Sequence, residues 1–493
     1  MKKIMIAAMN SGSGKTILTA ALGAAFLAKG KKVCLVKCGP DYIDPIFHNR
    51  VMGEEERGGR NIDLFLQGRE KAVQNFTELT EGAELTLIEG VMGFYDGAGG
   101  TIENSSWDIA DALDIPVILA VKPSGVALTL AAQLKGLLSF QKESHIRGII
   151  LTDCKTSLYS YLKPILERET GLTVFGYLPH LEEAEIPSRH LGLAVVASEE
   201  VSEISRKFGE LAERISDTID LDGIYDYAGV DDITLDDDEE NDSVEGVKAD
   251  ASESAYEASF SVNQNRSGRV RLAVAYDDAF CFYYRTSLNA LRKAGAELCF
   301  FSPMRDVSLP KGISGLYLGG GYPELFLKEL NGNTSMRATV LEALKSEMPV
   351  IAECGGFMYL HKAITPLKLT NINDETDWID PSHSYEMVGY LDGICFNTGK
   401  LNRFGYLNIE RKRSSDKESL LFHEGELIPA HEFHYYESTV TGDALTAQKA
   451  KKEWEFGYIG PGSYAGFPHL ELGGEVPLAK RFVSAMEKYF GRT

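Results

Sequence analysis

The sequence predicts an α/β protein of two domains, each built on a mainly parallel sheet covered by helices. Short apolar runs rich in Val, Ile and Leu alternate with longer helix-like segments, which is typical of parallel strands joined by helical crossovers. The chain has 493 residues, which is more than one hydrophobic core usually contains. A change of composition near the middle of the chain separates two such series.

The first series occupies the N-terminal part of the chain. Its apolar runs are 4–9, 33–36, 85–88, 117–121 and 147–151. Helix-like segments, for example 15–29 and 126–140, separate these runs. We therefore predict an N-terminal domain over residues 1–228.

The second series begins after an acidic and then Ser-rich stretch. Its runs are "RVRLAVAYD" at 269–277, "GLYLGG" at 315–320 and "PVIAEC" at 349–354. These runs predict a C-terminal α/β domain over 269–493. The stretch at 229–268 has few residues that could form a core, so we interpret it as a flexible linker.

Composition argues against several classes of function. The formal charge is −22, from 50 basic and 72 acidic residues, and no Lys/Arg cluster indicates a nucleic-acid-binding face. No stretch approaches the length of a membrane span, and the apolar start leads into a glycine-rich loop rather than a signal-peptide cleavage site. The 7 cysteines lack disulfide-like or metal-like spacing, so we expect a cytoplasmic protein.

A phosphate-binding loop is predicted directly after the first strand. The sequence "SGSGKT" ends the pattern G-x-x-x-x-G-K-[ST], although Met9 stands at the first glycine position. Small residues let backbone N–H groups turn towards phosphate oxygens, while a lysine adds positive charge. The predicted nucleotide-binding residues are Ser11, Gly12, Ser13, Gly14, Lys15 and Thr16.

Carboxylates follow two later strands of the same domain. Asp41 and Asp44 lie in "KCGPDYIDP", and Glu89 ends the strand in "LTLIEG". The carboxyl ends of parallel strands face the usual ligand crevice, and Mg²⁺ prefers oxygen ligands. We therefore predict that Thr16, Asp41, Asp44 and Glu89 hold Mg²⁺. Asp96 follows on a glycine-flanked turn.

A nucleophile elbow is predicted in the second domain. Cys354 ends an apolar strand and precedes two glycines in "IAECGGFMYL", as expected of a nucleophile on a sharp strand-to-helix turn. The Gly355 amide would then lie beside an oxyanion. The glycine run in "LYLGGGYPELF" offers a second donor near Gly320.

A candidate base for the Cys354 thiol lies near the C-terminus of the sequence. His469 and Glu471 in "GFPHLEL" have H-x-E spacing, and residues two apart in an extended segment face the same side. We therefore predict that Glu471 orients His469 as the general base. His431 and His434 in "PAHEFHYYE" are competing bases, and their H-E-x-H spacing differs from the H-E-x-x-H spacing of zinc sites.

These motifs together resemble a known family. The blocks are "SGSGKT", "KCGPDYIDPIFH", "IEGVMGFYDG", "EIPSRHLGL", "FYYRTSLNALRKAGAEL", "LGGGYPELF", "AECGGFMYL" and "HEFHYYE". In this order they are similar to the cobyrinic acid a,c-diamide synthases, which are glutamine amidotransferases of cobalamin biosynthesis. The resemblance covers nearly the whole chain except the acidic linker.

The resemblance implies a dethiobiotin-synthetase-like P-loop ATPase domain joined to a class I, triad-type glutaminase domain. It implies a ligase that uses ATP, Mg²⁺ and L-glutamine to amidate the a and c carboxylates of a cobyrinate-like corrinoid. Cys354 would be the nucleophile and His469 its base. We expect Asp96, Tyr42, His190 and His434 to face the substrate, and the chain to form a homodimer.

Three other functions fit parts of the sequence. The same chemistry could act on hydrogenobyrinate or another tetrapyrrole acid. Cobyric acid synthase is a second alternative, although its motifs differ around "GPDYIDP". The third is a P-loop switch ATPase with a relic glutaminase domain, and the intact Cys354 and His469 pair argues against it.

Overall fold

The structure is a computed structural model that describes residues 1–54, 57–180, 201–230, 270–366, 383–412, 419–450 and 452–492. Nearly all of the predicted linker at 229–268 lies outside these ranges, as does His190. Within the described residues, none of the helices combines the length and the apolar character needed to cross a membrane.

The N-terminal domain is built on a sheet whose main strands are all parallel, with one short antiparallel strand added to it. The strands are β1 (Lys2–Ala8), β2 (Val33–Cys38), β3 (Asn61–Ile62), β4 (Leu85–Glu89), β5 (Val117–Val121), β6 (Ile146–Leu151), β7 (Thr173–Tyr177) and β8 (Gly229–Val230). Their order across the sheet is β3-β2-β4-β1-β5-β6-β7, and β8 pairs antiparallel with β1. The five predicted runs correspond to β1, β2, β4, β5 and β6.

Helices cover both faces of this sheet. They span Lys15–Ala28, Ile43–Val51, Leu64–Gln67, Arg69–Leu79, Ser106–Ala112, Leu128–Phe140, Thr156–Thr170, Val201–Ser216 and Leu221–Tyr227. Two apolar clusters result, one on each face, and both consist of strand side chains packed against helices. The helix Lys15–Ala28 begins directly after Gly14, whose left-handed φ of 82° suits a residue without a side chain.

The C-terminal domain contains a second, mostly parallel sheet. Its strands are β9 (Arg271–Ala275), β10 (Glu297–Phe301), β11 (Ile313–Leu318), β12 (Val350–Glu353), β21 (Tyr458–Gly460) and β22 (Ser463–Gly466), in the order β10-β9-β11-β12-β22-β21. Helices Arg285–Lys293, Leu327–Gly332, Thr334–Lys345, Gly355–Tyr359 and Leu478–Phe490 accompany it. Strand β12 lies in the middle of the order and ends one residue before Cys354, so the elbow is held by the sheet interior.

Two smaller sheets complete this domain. One has the order β14-β13-β15-β18, from Tyr385–Glu386, His361–Thr365, Leu391–Asn397 and Tyr436–Ser438. The other has the order β20-β19-β16-β17-β23, from Lys452–Phe456, Leu445–Lys449, Arg403–Arg411, Ile428–His434 and His469–Leu470, with every pair antiparallel. This second small sheet carries His469 at its edge.

The two domains contact each other through polar and aromatic groups. The backbone N–H of Gly59 donates to the Tyr283 carbonyl at 2.9 Å, so a loop of the first domain pairs with the second. The Tyr406 hydroxyl donates to Asp63 Oδ2 at 2.7 Å. Tyr42 is buried in the same interface. The carboxyl edge of the first sheet therefore faces the second domain.

Candidate active site

The loop between β1 and the first helix has the conformation of a phosphate cradle. Gly12 and Gly14 have φ values of 79° and 82°, a region that side-chain-bearing residues rarely adopt. A pocket of about 290 Å³ lies against this loop and is lined by Met9–Ser13, Ala120–Lys122 and Ser124. Met9, the departure from the motif, is therefore part of the wall of the pocket.

Lys15 is the first helical residue after this loop. Its Nζ donates to the Met92 carbonyl at 2.7 Å, which anchors the lysine between the loop and the segment after β4. Burial, followed by the nearby charge of Lys37, lowers the pKa of Lys15 to about 8. An ammonium that is poorly solvated gains much from an anion, so phosphate oxygens are suitable partners.

Next to Lys15, the residues Thr16, Asp44 and Glu89 lie around a second lysine, Lys37, which is buried. The Thr16 hydroxyl lies 2.6 Å from Glu89 Oε1 and 3.4 Å from Asp44 Oδ2. Lys37 Nζ lies 2.6 Å from Asp44 Oδ2 and 2.8 Å from Glu89 Oε1, and His48 Nε2 lies 2.8 Å from Glu89 Oε2. This arrangement arises because β2 and β4 are adjacent and pair Lys37 with Glu89.

Electrostatics in this cluster are dominated by charge pairing. Burial acts to lower the pKa of Lys37, but Glu89 and Asp44 outweigh it and raise that pKa above its ordinary value. Burial likewise acts to raise the pKa of Glu89, but Lys37 and His48 outweigh it and hold the carboxyl ionised. Asp44 differs, because burial and the neighbouring Asp41 raise its pKa to about 7.

The oxygen donors fit Mg²⁺, with one exception among the predicted ligands. A threonine hydroxyl, the Glu89 carboxylate at the end of β4 and the Asp44 carboxylate in the first turn of the helix after β2 form the hard-oxygen set that this ion prefers. Asp41 is not directed into that set, because its Oδ1 accepts the backbone N–H groups of Ile43 and Asp44 at 2.8 and 3.0 Å. In the described part of the chain, no three His, Cys, Asp or Glu side chains form a ready metal-binding group.

Cys354 occupies a strained elbow between β12 and a short helix. Its φ of 47° and ψ of −104° lie outside the regions favoured by residues with a side chain. The position is fixed because the Cys354 N–H donates to the Gly466 carbonyl at 2.9 Å. Burial, and then the Glu324 carboxylate, raise the pKa of this thiol to about 12, against the N–H of Gly355, which lowers it. The resting group is therefore a thiol that needs a base.

The glycine run lies against both the elbow and the predicted base. A Cβ placed on Gly320 would clash with His469 Cε1, so only glycine allows the imidazole to approach. A Cβ placed on Gly355 would stand 3.1 Å from the backbone nitrogen of Gly321. The elbow amide and the amide of Gly321, one residue beyond the predicted Gly320, are therefore neighbours.

His469 is buried next to the carboxylate that precedes the thiol. Its Nδ1 lies 3.6 Å from Glu353 Oε2, with both side chains at most 4% exposed. Glu353 Oε1 accepts the Leu470 N–H at 3.0 Å, and Glu353 Oε2 accepts the Tyr317 hydroxyl at 3.2 Å. The histidine thus lies beside Glu353, the last residue of strand β12, and Cys354 is the next residue along the chain.

Glu471 is placed elsewhere, contrary to the prediction that it orients the histidine. Its partners are Thr286 Oγ1 and Ser287 Oγ, each at 2.8 Å, Gly473 N at 2.7 Å and Gln67 Nε2 at 3.5 Å. Strand β23 ends at Leu470, so the alternation that would have placed residues 469 and 471 on one side does not continue. Glu471 instead belongs to the domain interface.

The two competing histidines are both buried. His431 is paired opposite His469 across β17 and β23, and burial, followed by the charge of His469, lowers the pKa of His431 to about 3. The ring of His434 stacks on Phe467 at 4.1 Å between centroids, and its Nδ1 lies 2.6 Å from the Tyr436 carbonyl. The expectation that His434 faces the substrate is therefore not met, because its ring packs inside the domain.

Two family models match this chain. The model described as "CobQ/CobB/MinD/ParA nucleotide binding domain" matches residues 4–193, and the model described as "CobB/CobQ-like glutamine amidotransferase domain" matches residues 271–466. The first range contains the phosphate cradle and the acidic cluster. The second contains the elbow and the glycine run.

Full-length relatives decide the family. A protein of Caldanaerobacter subterraneus subsp. tengcongensis named cobyrinate a,c-diamide synthase is 37% identical, with 99% of each chain covered. Proteins of the same name from Clostridium tetani and Thermoplasma volcanium are 35% and 34% identical, covering 97% and 99% of this chain and 99% and 98% of their own. The chain belongs to the cobyrinate a,c-diamide synthase family.

Membership in the cobyrinate a,c-diamide synthase family confirms the predicted fold class and type of enzyme. The protein is a glutamine-dependent amidotransferase ligase with an N-terminal nucleotide-binding P-loop domain on a parallel sheet. The interpretation as a switch ATPase with a relic glutaminase domain is thereby excluded. The roles of individual residues stay predictions, which the geometry above makes specific.

Tyr42 and Asp96 were both expected at the substrate. The Tyr42 ring is 8% exposed, stacks on Phe282 and Tyr284 at 5.0 and 4.4 Å between centroids, and lies 5.0 Å from the His469 ring. Tyr42 therefore lies between the domains, not open to the crevice. Asp96 is exposed on its turn, where Oδ2 accepts the Gly93 N–H at 3.1 Å.

Lys37, His48 and Glu353 lie in the two sites but were not predicted from the sequence. Lys37 and Glu353 stand at or near the ends of otherwise apolar strands, and a charged residue in such a position needs a buried partner. That signal was available in "VCLVKC" and "PVIAEC". His48 gave no comparable signal, because it lies in a helix and reaches Glu89 only through the packing of that helix on the sheet.

Proposed function

We propose that this protein amidates the a and c carboxylates of cobyrinate, using ATP and L-glutamine, through an acyl phosphate. The observation that carries the proposal is that Tyr42 follows Asp41 in the loop of the acidic cluster and also touches His469 of the thiol site. The site proposed to release ammonia and the site proposed to activate the carboxylate therefore lie at the same domain interface. The name shared by the full-length relatives supplies the substrate class.

In the glutaminase domain, Cys354 attacks the side-chain amide of glutamine. His469 accepts the thiol proton as the sulfur bonds to the amide carbon, and the N–H groups of Gly355 and Gly321 stabilise the oxyanion. Collapse of this intermediate breaks the carbon–nitrogen bond, and the proton held on His469 leaves with ammonia. Water then hydrolyses the thioester, with His469 as base, to give glutamate and the free thiol.

A carboxylate is too poor an electrophile for ammonia to attack directly. In the ATPase domain, a substrate carboxylate therefore attacks the γ-phosphorus of ATP, the bond to the bridging oxygen breaks, and ADP leaves behind an acyl phosphate. Lys15 and the loop amides stabilise negative charge on the transferring group. Thr16, Asp44 and Glu89 would hold Mg²⁺, which neutralises phosphate charge when bound. Lys37 then balances the buried carboxylates. Ammonia displaces phosphate from the acyl phosphate and forms the amide.

The interface between the sites supports direct use of the ammonia. Ammonia is largely protonated in water near neutral pH, and ammonium is not a nucleophile. Tyr42, Phe282 and Tyr284 form an apolar layer beside His469, where a neutral molecule is favoured over a cation. We therefore propose that ammonia moves from one site to the other without entering bulk water.

The test compares two nitrogen sources in three proteins. The wild type, Cys354→Ala and Lys15→Ala are incubated with cobyrinate, ATP and Mg²⁺, and with either glutamine or ammonium chloride, and products are read by mass spectrometry. We expect Cys354→Ala to lose only the glutamine-driven reaction and Lys15→Ala to lose both. Glutamine-driven amidation by Cys354→Ala, or full activity of Lys15→Ala, would contradict these roles.

A substrate panel tests the corrinoid. Hydrogenobyrinate and a nickel sirohydrochlorin are offered beside cobyrinate at equal concentration. Diamide formation that is fastest with cobyrinate supports the proposal, and a clear preference for another acid overturns it. We propose the cytoplasm as the working compartment, since Cys354 acts as a free thiol. Light scattering at assay concentration tests the expected homodimer.

A further inference from the structure

The buried carboxylate beside the catalytic histidine belongs to the residue that precedes the nucleophile. His469 Nδ1 is buried and has no hydrogen-bond partner among the described residues. The nearest acid is Glu353, whose Oε2 lies 3.6 Å from that nitrogen. We propose that Glu353 is the positioning residue of this glutaminase, and that it holds His469 in the orientation and tautomer needed to take the thiol proton.

The carboxylate is fixed by two donors that are themselves part of the site. Its Oε1 accepts the N–H of Leu470, the residue directly after the histidine, at 3.0 Å. Its Oε2 accepts the Tyr317 hydroxyl at 3.2 Å, from the neighbouring strand β11. Since these bonds tie Glu353 to the backbone next to His469, acid and imidazole keep their relative positions.

Proton transfer explains why an acid is needed at this place. A carboxylate on the Nδ1 side favours the tautomer with the proton on Nδ1, which leaves the lone pair of Nε2 free to accept the thiol proton. When Nε2 accepts it, the ring becomes a buried cation, and the anion of Glu353 stabilises that cation. A separation of 3.6 Å in the resting protein can shorten to a hydrogen bond once the ring is charged.

The other groups that face the histidine cannot take this role. Tyr42 presents its ring, and His431 is a neighbouring imidazole on strand β17. The carboxylate oxygens of Glu471 accept Thr286, Ser287, Gly473 and Gln67 in the domain interface. Glu353 is thus the carboxylate that the geometry offers to His469.

The test measures glutamate formation from glutamine, so it rests on the proposed function only for the glutaminase half-reaction. Three variants of the full chain are compared: Glu353→Gln, which keeps size and removes charge, Glu353→Asp, which keeps charge, and Glu471→Gln, a matched removal of another buried carboxylate. We expect Glu353→Gln to lower kcat/KM for glutamine by about 10²–10⁴-fold, the range typical of impaired general base catalysis. We expect Glu353→Asp to recover at least about tenfold of that loss.

Two further measurements separate positioning from folding. Ammonia-driven amidation should stay within about twofold of the wild type in Glu353→Gln, since it bypasses the thiol site. In Glu353→Gln, the acid limb of the pH profile for glutamine-driven activity should move to lower pH. The reason is that the imidazolium has lost the anion that stabilised it. A purely structural role would lower the rate and leave this limb in place.

The outcomes decide between the two acids. Glutamine-driven activity of Glu353→Gln within about threefold of the wild type overturns the proposal, as does a larger loss in Glu471→Gln. If Glu353→Gln misfolds and loses the ammonia-driven reaction as well, Glu353→Asp decides. A Glu353→Asp protein that keeps ammonia-driven amidation but shows no measurable glutamine-driven activity overturns the role, because the retained charge should restore it. Failure of every protein, wild type included, to amidate cobyrinate would refute the proposed substrate but not this assignment.

Discussion

Replacing Cys354 by alanine or by glycine tests directly whether the backbone of the elbow is strained. The residue has a φ of 47° and a ψ of −104°, a conformation open mainly to glycine. Cys354→Ala and Cys354→Gly both remove the thiol, so we expect neither to retain glutamine-driven activity. They differ in whether a Cβ remains in the strained position, so their difference in stability measures the strain.

The expected difference follows from two opposing effects. A non-glycine residue in such a region costs about 1–3 kcal/mol, which Cys354→Gly releases and Cys354→Ala retains. Glycine loses more backbone freedom on folding, which costs about 0.4–1 kcal/mol relative to alanine. The net expectation is that the glycine variant is more stable by about 1 kcal/mol, which corresponds to about 2–4 °C in the unfolding temperature of a domain of this size.

Thermal unfolding of the full chain, followed by calorimetry, gives the comparison. Cys395 supplies the matched control because it is also buried but lies in the extended strand β15. There the order should reverse, with Cys395→Gly less stable than Cys395→Ala by about 0.5–1 kcal/mol. If Cys354→Ala unfolds at the same temperature as Cys354→Gly or higher, the elbow is not strained and the reasoning fails.

Two further predictions concern the buried lysine and the interface tyrosine. Lys37→Met should reduce the free energy of unfolding by about 3–5 kcal/mol without divalent cations, because Asp44 and Glu89 stay buried without their cation. In contrast, Lys29→Met, which breaks the exposed pair with Asp222, should cost at most about 1 kcal/mol, and equal losses in denaturant titrations would contradict this explanation. Tyr42→Ala should raise the ratio of glutamate to amide formed, because it removes the apolar layer beside His469, while Tyr42→Phe keeps the rings. An unchanged ratio in Tyr42→Ala would show that ammonia does not depend on this layer.

The features predictable from sequence are those set by local chain order. The strand–loop–helix around Lys15 and the strand–elbow around Cys354 each lie within one continuous segment, where glycine, small residues and an apolar run specify the turn. The antiparallel sheet that carries His469 was not predicted, because its strands pair residues far apart in sequence. Periodicity does not encode which distant strands pair.

The error over Glu471 has the same origin. The spacing rule for His469 and Glu471 assumes that the strand continues, but β23 ends at Leu470 and the chain turns into the domain interface. The carboxylate that does approach His469 comes from Glu353, more than a hundred positions earlier, through the pairing of β12 with β22. No local pattern predicts such a contact, although an acid at the end of an apolar strand indicates that it has a partner.

The position of Tyr42 connects the two chemistries through one short loop. Asp41 caps the helix that carries Asp44, so the segment between them has a fixed backbone. Tyr42 lies within that segment and packs against Phe282, Tyr284 and His469 of the other domain. Any shift of Asp44 on binding Mg²⁺ and ATP would therefore move a ring that touches the base. We therefore predict that glutamate release differs with and without ATP and Mg²⁺, and equal rates in the two conditions would contradict this coupling.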